Sequence, residues 1–319
     1  MSESNHATRE GKPKLAPEKQ VAFLRGKGVS FDRMGEGEAM RYLSTESFLF
    51  STYAYRALFP KRVGGPHDGE YANLDFADLV DLERLDRQLR EVLLQLTLDV
   101  EHLAKARMLA EVAARPEEDG YAIVREYMAS LSPAERARRE AEISRLRHDE
   151  YSGDLQRHYA DGMPLWVFLE LVSFGTVADV YRFCANRWGD RSMLREHYLL
   201  RSAKGVRNAC AHSSAMINGF GATSHAARPA PDALTTALRD AGFSKRSRSS
   251  RMRNPRLQQI ASLLLLHRRM AEGTALADEA SAELRALAND IRAALSATRP
   301  DAAAEASMEF LAELVDRWF

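Results

Sequence analysis

The octapeptide GVRNACAH, residues 205–212, brings a permanent cation (Arg207), an amide (Asn208) and an imidazole (His212) together among mostly small residues. An imidazole titrates near neutral pH and can take a proton from a hydroxyl. A guanidinium stays charged and grips a phosphate through two parallel hydrogen bonds. An amide can orient either partner. This set suits cleavage of an RNA phosphodiester by its own 2′-hydroxyl. The imidazole would act as base or acid, and the guanidinium would offset the charge that develops on phosphorus. Such a step needs no metal. Spacing alone fits, and favours, a plainer arrangement: a capped helix with a surface arginine, a polar asparagine and a hydrogen-bonded histidine.

The elements that must carry these residues are helices. Asn208 and His212 are four apart and share a helical face. Arg207 and His212 are five apart, about 140° around a helix of 3.6 residues per turn. Arg207 must therefore reach round, sit in a distorted turn, or serve a site shared with a second chain. Steps of three and four dominate the chain. The clearest run extends from Phe76 to Ala113, with an apolar stripe through Leu79, Leu82, Leu85, Leu89, Val92, Leu93, Leu96, Val100 and Leu103. At LSPAERARREAEI, Ser132, Pro133 and Glu135 form a helix-start signal with a capping box. LWVFLELVSFG, TVADVYRFCANRW and MLREHYLLRSAKGVRNACAHSSAMIN continue the pattern, and three further helical runs close the chain. The expected fold is all-α with short connections between antiparallel neighbours, and without strands.

Composition excludes several classes. Lys plus Arg equals Asp plus Glu, at 45 each, so net charge predicts no partner and only local clusters can. Two cysteines, Cys184 and Cys210, do not make a disulfide framework, which fits a reducing, cytoplasmic compartment. No stretch approaches the roughly 20 apolar residues of a membrane span. The nine histidines have no metal-ligand spacing, so neither a metal nor another cofactor is expected. Residues 1–15 are expected to be a disordered leader and residues 16–319 one helical domain, with a mobile loop at about 219–250. Whether residues 270–319 join the bundle or form a lid is left open. One cluster stands out: Lys245, Arg246, Arg248, Arg251, Arg253 and Arg256 carry six cations in twelve residues with no acid among them. Such a segment is either an arginine-rich solvated loop or a phosphate-binding surface.

RNACAH followed by SSAMIN resembles the RN-x-x-AH…N segment of the Abi-like, abortive-infection family of phage-resistance proteins. These belong to the HEPN superfamily, helical proteins that include many RNases. LVDLERLDRQLREVLLQLTLDVEHLAKARM is similar to the family's long helix with its "DRELR…IE" pattern. PLWVFLELVSFGTVADVYRF resembles its "W…E…SFG…LY" segment, and APEKQVAFLRGKGVSF its N-terminal opening. The four stretches fall in the family's order and cover about residues 13–270.

The resemblance implies a HEPN-type antiparallel bundle, with its core at about 75–270 and added helices at both ends. It implies that Arg207 and His212 are a catalytic R-x4-6-H pair and that Asn208 assists them. Glu101, at the "IE" position, and Asn218, the closing Asn, would support the site. Such nucleases build one composite site from two protomers, so a homodimer or larger assembly is expected, and small Ala209 and Ala211 would let two helices approach. The implied function is a metal-independent endoribonuclease. It would act as a toxin in anti-phage defence and leave a 2′,3′-cyclic phosphate and a 5′-hydroxyl. A cognate small non-coding RNA would restrain it. The family often has a second His and a further Arg where this chain has Ser213 and Ala215. That departure keeps open an inactive module of the same fold that binds a structured RNA or a protein. A helical scaffold without RNA affinity is the third reading.

Overall fold

The computed structural model describes residues 14–221 and 229–319. The first thirteen residues of the expected leader and residues 222–228 of the expected loop lie outside the described residues. The rest forms fifteen α-helices. In chain order, α1 (Pro17–Arg25), α2 (Glu36–Thr45) and α3 (Leu49–Thr52) precede the long α4 (Phe76–Ala113). Next come α5 (Tyr121–Ser130), α6 (Pro133–Ser144), α7 (Gly153–His158), α8 (Leu165–Leu171), α9 (Phe174–Trp188) and α10 (Arg191–Ala211). α11 (Asp232–Asp240), α12 (Lys245–Arg251), α13 (Pro255–Met270), α14 (Ala275–Thr298) and α15 (Ala302–Trp318) complete the order. The all-α expectation is met.

α4 runs unbroken for 38 residues, about 57 Å. Asp75 caps it by accepting the Ala77 N–H at 2.9 Å, and Asp78 accepts the Asp75 N–H at 2.9 Å. Its buried stripe of Leu79, Leu82, Leu89, Leu93 and Leu96 contributes about 1.5–3 kcal/mol per side chain. α9, α10, α13 and α14 pack around it, and α10 lies against α4, α9 and α13. The capping box at α6 forms as the sequence predicts: Ser132 and Glu135 exchange hydrogen bonds at 3.4 and 3.0 Å. α14 packs on α4, and α15 on α14 and α13, so residues 275–318 are bundle rather than lid. Their buried residues join those of α1, α2, α4, α5, α8 to α11 and α13 in one hydrophobic core.

Two expectations need correction. Strands are not wholly missing: β1 (Val29–Ser30) pairs in parallel with β2 (Leu74–Asp75). Asp75 holds this pair by accepting Ser30 Oγ–H and the Asp32 N–H, each at 2.8 Å. A two-residue strand carries no readable alternation, which is why the sequence does not announce it. The expected mobile loop at 219–250 contains α11 and α12. α11 anchors through the buried Leu234 and Leu238, one turn apart, and Ser244 caps α12 by accepting the Ser247 N–H at 3.1 Å. The Ser/Arg run of α12 lacks apolar spacing, so only its cap could have revealed it.

Two buried histidines tie the helices around α4 and α9. His267 on α13 sets Nε2 3.0 Å from Asp99 Oδ2 on α4. His197 on α10 donates Nδ1–H to the Ala178 carbonyl at 3.0 Å. Burial lowers both imidazoles below the ordinary histidine value of about 6.5. Below that value the unfolded chain therefore binds more protons than the folded one, and stability falls with pH. From pH 7 to 5.5 these imidazoles should lower the unfolding free energy read from denaturant titrations, by at most about 2.7 kcal/mol per pH unit for two groups. Burial raises the carboxyls of Asp78, Asp86 and Glu101, which act in the opposite sense. A His197→Gln/His267→Gln variant isolates the imidazoles, and its profile should be flatter than that of the wild type.

Candidate functional site

α10 carries the central triad. Asp190 caps its start by accepting the Ser192 and Met193 N–H groups at 2.7 and 3.0 Å. Its end is a Schellman motif. The Ser213 N–H donates to the Cys210 carbonyl at 3.0 Å, and the Ser214 N–H to the Ala209 carbonyl at 2.9 Å. Ser213 takes the left-handed conformation this motif requires, at φ 52°. His212 is the last residue before the reversal, and its side chain is exposed.

The chain beyond His212 is held from three sides. The Met216 and Ile217 N–H groups donate to the two Asp86 carboxylate oxygens, at 3.1 and 2.8 Å. Tyr55 Oη–H donates to the same carboxylate at 2.9 Å, and the Arg90 guanidinium pairs with it. From α13, Arg256 donates to the carbonyls of Ala215 and Met216 at 2.6 and 3.0 Å. Asn254 donates to the Gly219 carbonyl at 2.7 Å, and Ser307 of α15 to that of Phe220 at 2.8 Å. The imidazole of His212 is thus exposed on a backbone that is fixed on both sides.

Arg207 diverges from Asn208 and His212, which are four apart and share one face of α10. Arg207 is half-buried on the side of α10 that faces α4, where its charge reaches Glu101. Burial raises the Glu101 carboxyl above its ordinary range; Lys105 and then Arg207 pull it back, while Glu170 adds to the rise. Lys105 lies 3.9 Å from Glu101 and 3.4 Å from Glu170. Asn208 is exposed and lines a groove between α9 and α10. Among the described residues, no side-chain hydrogen bond or ion pair joins Arg207, Asn208 and His212; the His212 N–H donates to the Asn208 carbonyl at 3.0 Å as the last turn of the helix. Asn218 lies in a short 3-10 turn, Ile217–Gly219, with Oδ1 buried and unpartnered among the described residues. Ala209 packs partly against this chain's own core, while Ala211 is exposed. Gly205 faces α13, where a Cβ would stand 3.2 Å from Gln259 Oε1, so the missing side chain lets the two helices close.

The basic cluster is divided. Arg248 donates to the Phe243 carbonyl, Arg251 to Ser307 Oγ at 2.9 Å, and Arg256 to the carbonyls above. Lys245, Arg246 and Arg253 remain exposed. The sequence reading missed Asp86 and Arg90 as the anchor of the site. The available signal was an aspartate inside the apolar stripe, between Leu82, Leu85 and Leu89, where only a partnered charge is tolerated. Among the described residues, no group of three or more His, Cys, Asp or Glu is disposed to hold a metal ion, and no helix is long and apolar enough to cross a membrane.

Asp86→Ala leaves Arg90, Tyr55 and two main-chain N–H groups unpaired, and should cost about 3–5 kcal/mol in a denaturant titration. Asp86→Asn keeps one acceptor and should cost less. At Ser213 the left-handed penalty of about 1–2 kcal/mol outweighs the extra unfolded-state freedom of glycine, about 0.4–1 kcal/mol. Ser213→Gly should therefore raise stability by about 0.5–1 kcal/mol, and Ser213→Val should lower it, both read as melting-temperature shifts.

No curated protein and no solved structure matches the chain. The family of Abi-like proteins matches residues 41–218, or 178 of the 319 residues. The match is narrower than the 13–270 span of the resemblance. It starts within α2, ends on Asn218, and takes in Asp86, Arg90, Glu101 and the whole triad. With more than half its length matched, including the carboxylate anchor and the helix end it holds, this chain belongs to the Abi-like family.

Proposed function

We propose that the chain is a metal-independent endoribonuclease of the HEPN type, acting in abortive-infection defence against phage. The observation that carries this reading is the end of α10. An exposed imidazole sits on a fixed backbone, five residues from a guanidinium without an ion pair among the described residues. His212 takes the proton from a ribose 2′-hydroxyl, whose oxygen attacks the adjacent phosphorus. The P–O5′ bond breaks, the leaving oxygen takes up a proton, and a 2′,3′-cyclic phosphate and a 5′-hydroxyl remain. Arg207 offsets the charge on the phosphorane, and Asn208 orients the imidazole or the phosphate.

The divergence of Arg207 and His212 favours a site completed by two protomers. Two copies of α10 then supply two imidazoles, one as base and one as acid. Glu101 steadies Arg207 through charge, and Asn218 supports the turn. Lys245, Arg246 and Arg253 offer further phosphate contacts. A cognate small non-coding RNA that occupies the same surface would restrain the enzyme until infection, in the cytoplasm where its target lies.

A specific observation favours a second reading, that of an inactive RNA-binding module. Ser213 and Ala215 stand where the family often has His and Arg. Against that, the Arg256 guanidinium lies on the Ala215 carbonyl and supplies a cation beside that position.

Purified protein incubated with RNA in EDTA should cleave it and leave cyclic-phosphate ends. His212→Ala should lower the rate by about 10²–10⁴-fold, and Arg207→Ala by about 10²–10³-fold, with RNA binding retained. Equal binding without cleavage by wild type and both variants would remove the nuclease and leave the binding module.

A further inference from the structure

The groove that Asn208 lines takes the rest of its walls from outside both the triad and the cluster at 245–256. It has a volume of about 410 Å³ and lies between α9 and α10. Arg182, Arg201 and Lys204 line it and are exposed, and among the described residues none of them forms an ion pair. Asp179, the lining carboxylate, is already 3.0 Å from Arg139. α10 as a whole carries five Arg or Lys residues and one acid, Glu196, which Arg107 and the Tyr181 hydroxyl occupy. The groove is therefore positive and uncompensated, although the whole chain is neutral.

Its shape fits a strand better than a compact anion. Arg201, Lys204, Asn208 and His212 follow at steps of three, four and four, which keeps them on one face of α10. From Arg201 to His212 that face runs about 16 Å, roughly five nucleotides at 3.4 Å each. Glycine keeps the groove open: a Cβ at Gly175 would come 2.7 Å from Lys204 Nζ.

His197 adds a group of the opposite kind. The Ala178 carbonyl can only accept, so His197 Nδ1 carries the hydrogen. The other ring nitrogen, Nε2, is then a neutral lone-pair acceptor beside the cations of the groove, where the Asp179 carboxylate is already engaged by Arg139. Burial, with Arg182 and Arg201 nearby, favours the neutral ring that keeps this acceptor. An acceptor there repels a phosphate and receives a hydroxyl, the group that distinguishes RNA from DNA.

We propose that this groove cradles one RNA strand, with phosphates on Arg182, Arg201 and Lys204 and a ribose 2′-hydroxyl on His197, and leads it to Asn208 and His212. The proposal rests on RNA being the ligand, as read above.

Binding is measured on a His212→Ala background, so that the strand stays intact. The probes are a short single-stranded RNA and the DNA of the same sequence, in EDTA, from 50 to 200 mM salt. RNA should bind more tightly than DNA. Arg201→Ala/Lys204→Ala should weaken RNA binding tenfold or more and reduce the slope of log affinity against log salt by about 1.4. His197→Phe should narrow the gap between RNA and DNA. Because that residue is buried, its melting curve is recorded alongside, and the exposed Arg201/Lys204 pair decides the matter if it does not fold. An unchanged affinity and slope in that pair overturns the proposal. So does a loss carried instead by Lys245→Ala/Arg246→Ala/Arg253→Ala, or an absence of RNA binding altogether. Cleavage is scored separately with His212 intact. Groove-dependent binding without cleavage keeps the groove and removes the nuclease; wild-type cleavage by the groove variants does the reverse.

Discussion

A single buried carboxylate holds the chain that follows α10. Asp86 is fully buried and accepts from Tyr55, Arg90 and the backbone N–H groups of Met216 and Ile217. A charge in that position is tolerable only when hydrogen bonds and a counter-ion replace the lost water. Because the partners come from α4, from the segment before it and from the chain after α10, the requirement to satisfy one anion fixes three pieces of backbone together. The end of α10, and with it His212, takes its position from that arrangement. Arg256 and Asn254 complete it from the carbonyl side. The N–H groups face one partner and the C=O groups another, as buried irregular backbone demands.

Much of the frame was legible because long helices repeat themselves. α4 is bounded by Asp75 and Ala113, and its stripe is written in leucines at steps of three and four. The cap of α6 could be read from Ser132, Pro133 and Glu135. Elements without repetition were not legible. β1 and β2 are two residues each, and α12 is built of Ser, Lys and Arg. The site divides in the same way. Residue types suggested the chemistry of Arg207, Asn208 and His212, the family resemblance singled them out, and the spacing gave the divergence of Arg207 from His212 around the helix. Asp86 was visible only as a charge in an apolar stripe. The groove of Arg182, Arg201 and Lys204 was not visible, because Arg182 comes from a different helix and proximity across helices leaves no mark in the sequence.

Electrostatics follow the same division between local and global. Equal numbers of acids and bases hide a helix on which cations outnumber acids five to one. The acids elsewhere are largely engaged: Glu118 with Arg187, Glu142 with Arg139, Asp78 with Arg33. Along α10, Arg201 and Lys204 are without an ion pair among the described residues, and Arg182 of α9 lies beside them. A neutral protein can thus present one strongly charged strip, and that strip begins at a buried imidazole and ends at an exposed one.

The hydrogen bonds beyond His212 also set a schedule for synthesis. Asp86 is made early, and Met216 and Ile217 reach it only after 130 and 131 further residues. Their carbonyl-side partners come later still: Asn254, which caps α13, Arg256 on α13 and Ser307 on α15. A ribosome-bound chain, or one cut short before α13, already contains Arg207, Asn208 and His212 but lacks the groups that fix the segment behind them. The arrangement is completed last, from the C-terminal helices back. The segment beyond His212 is therefore held in full only once α13 and α15 have been made.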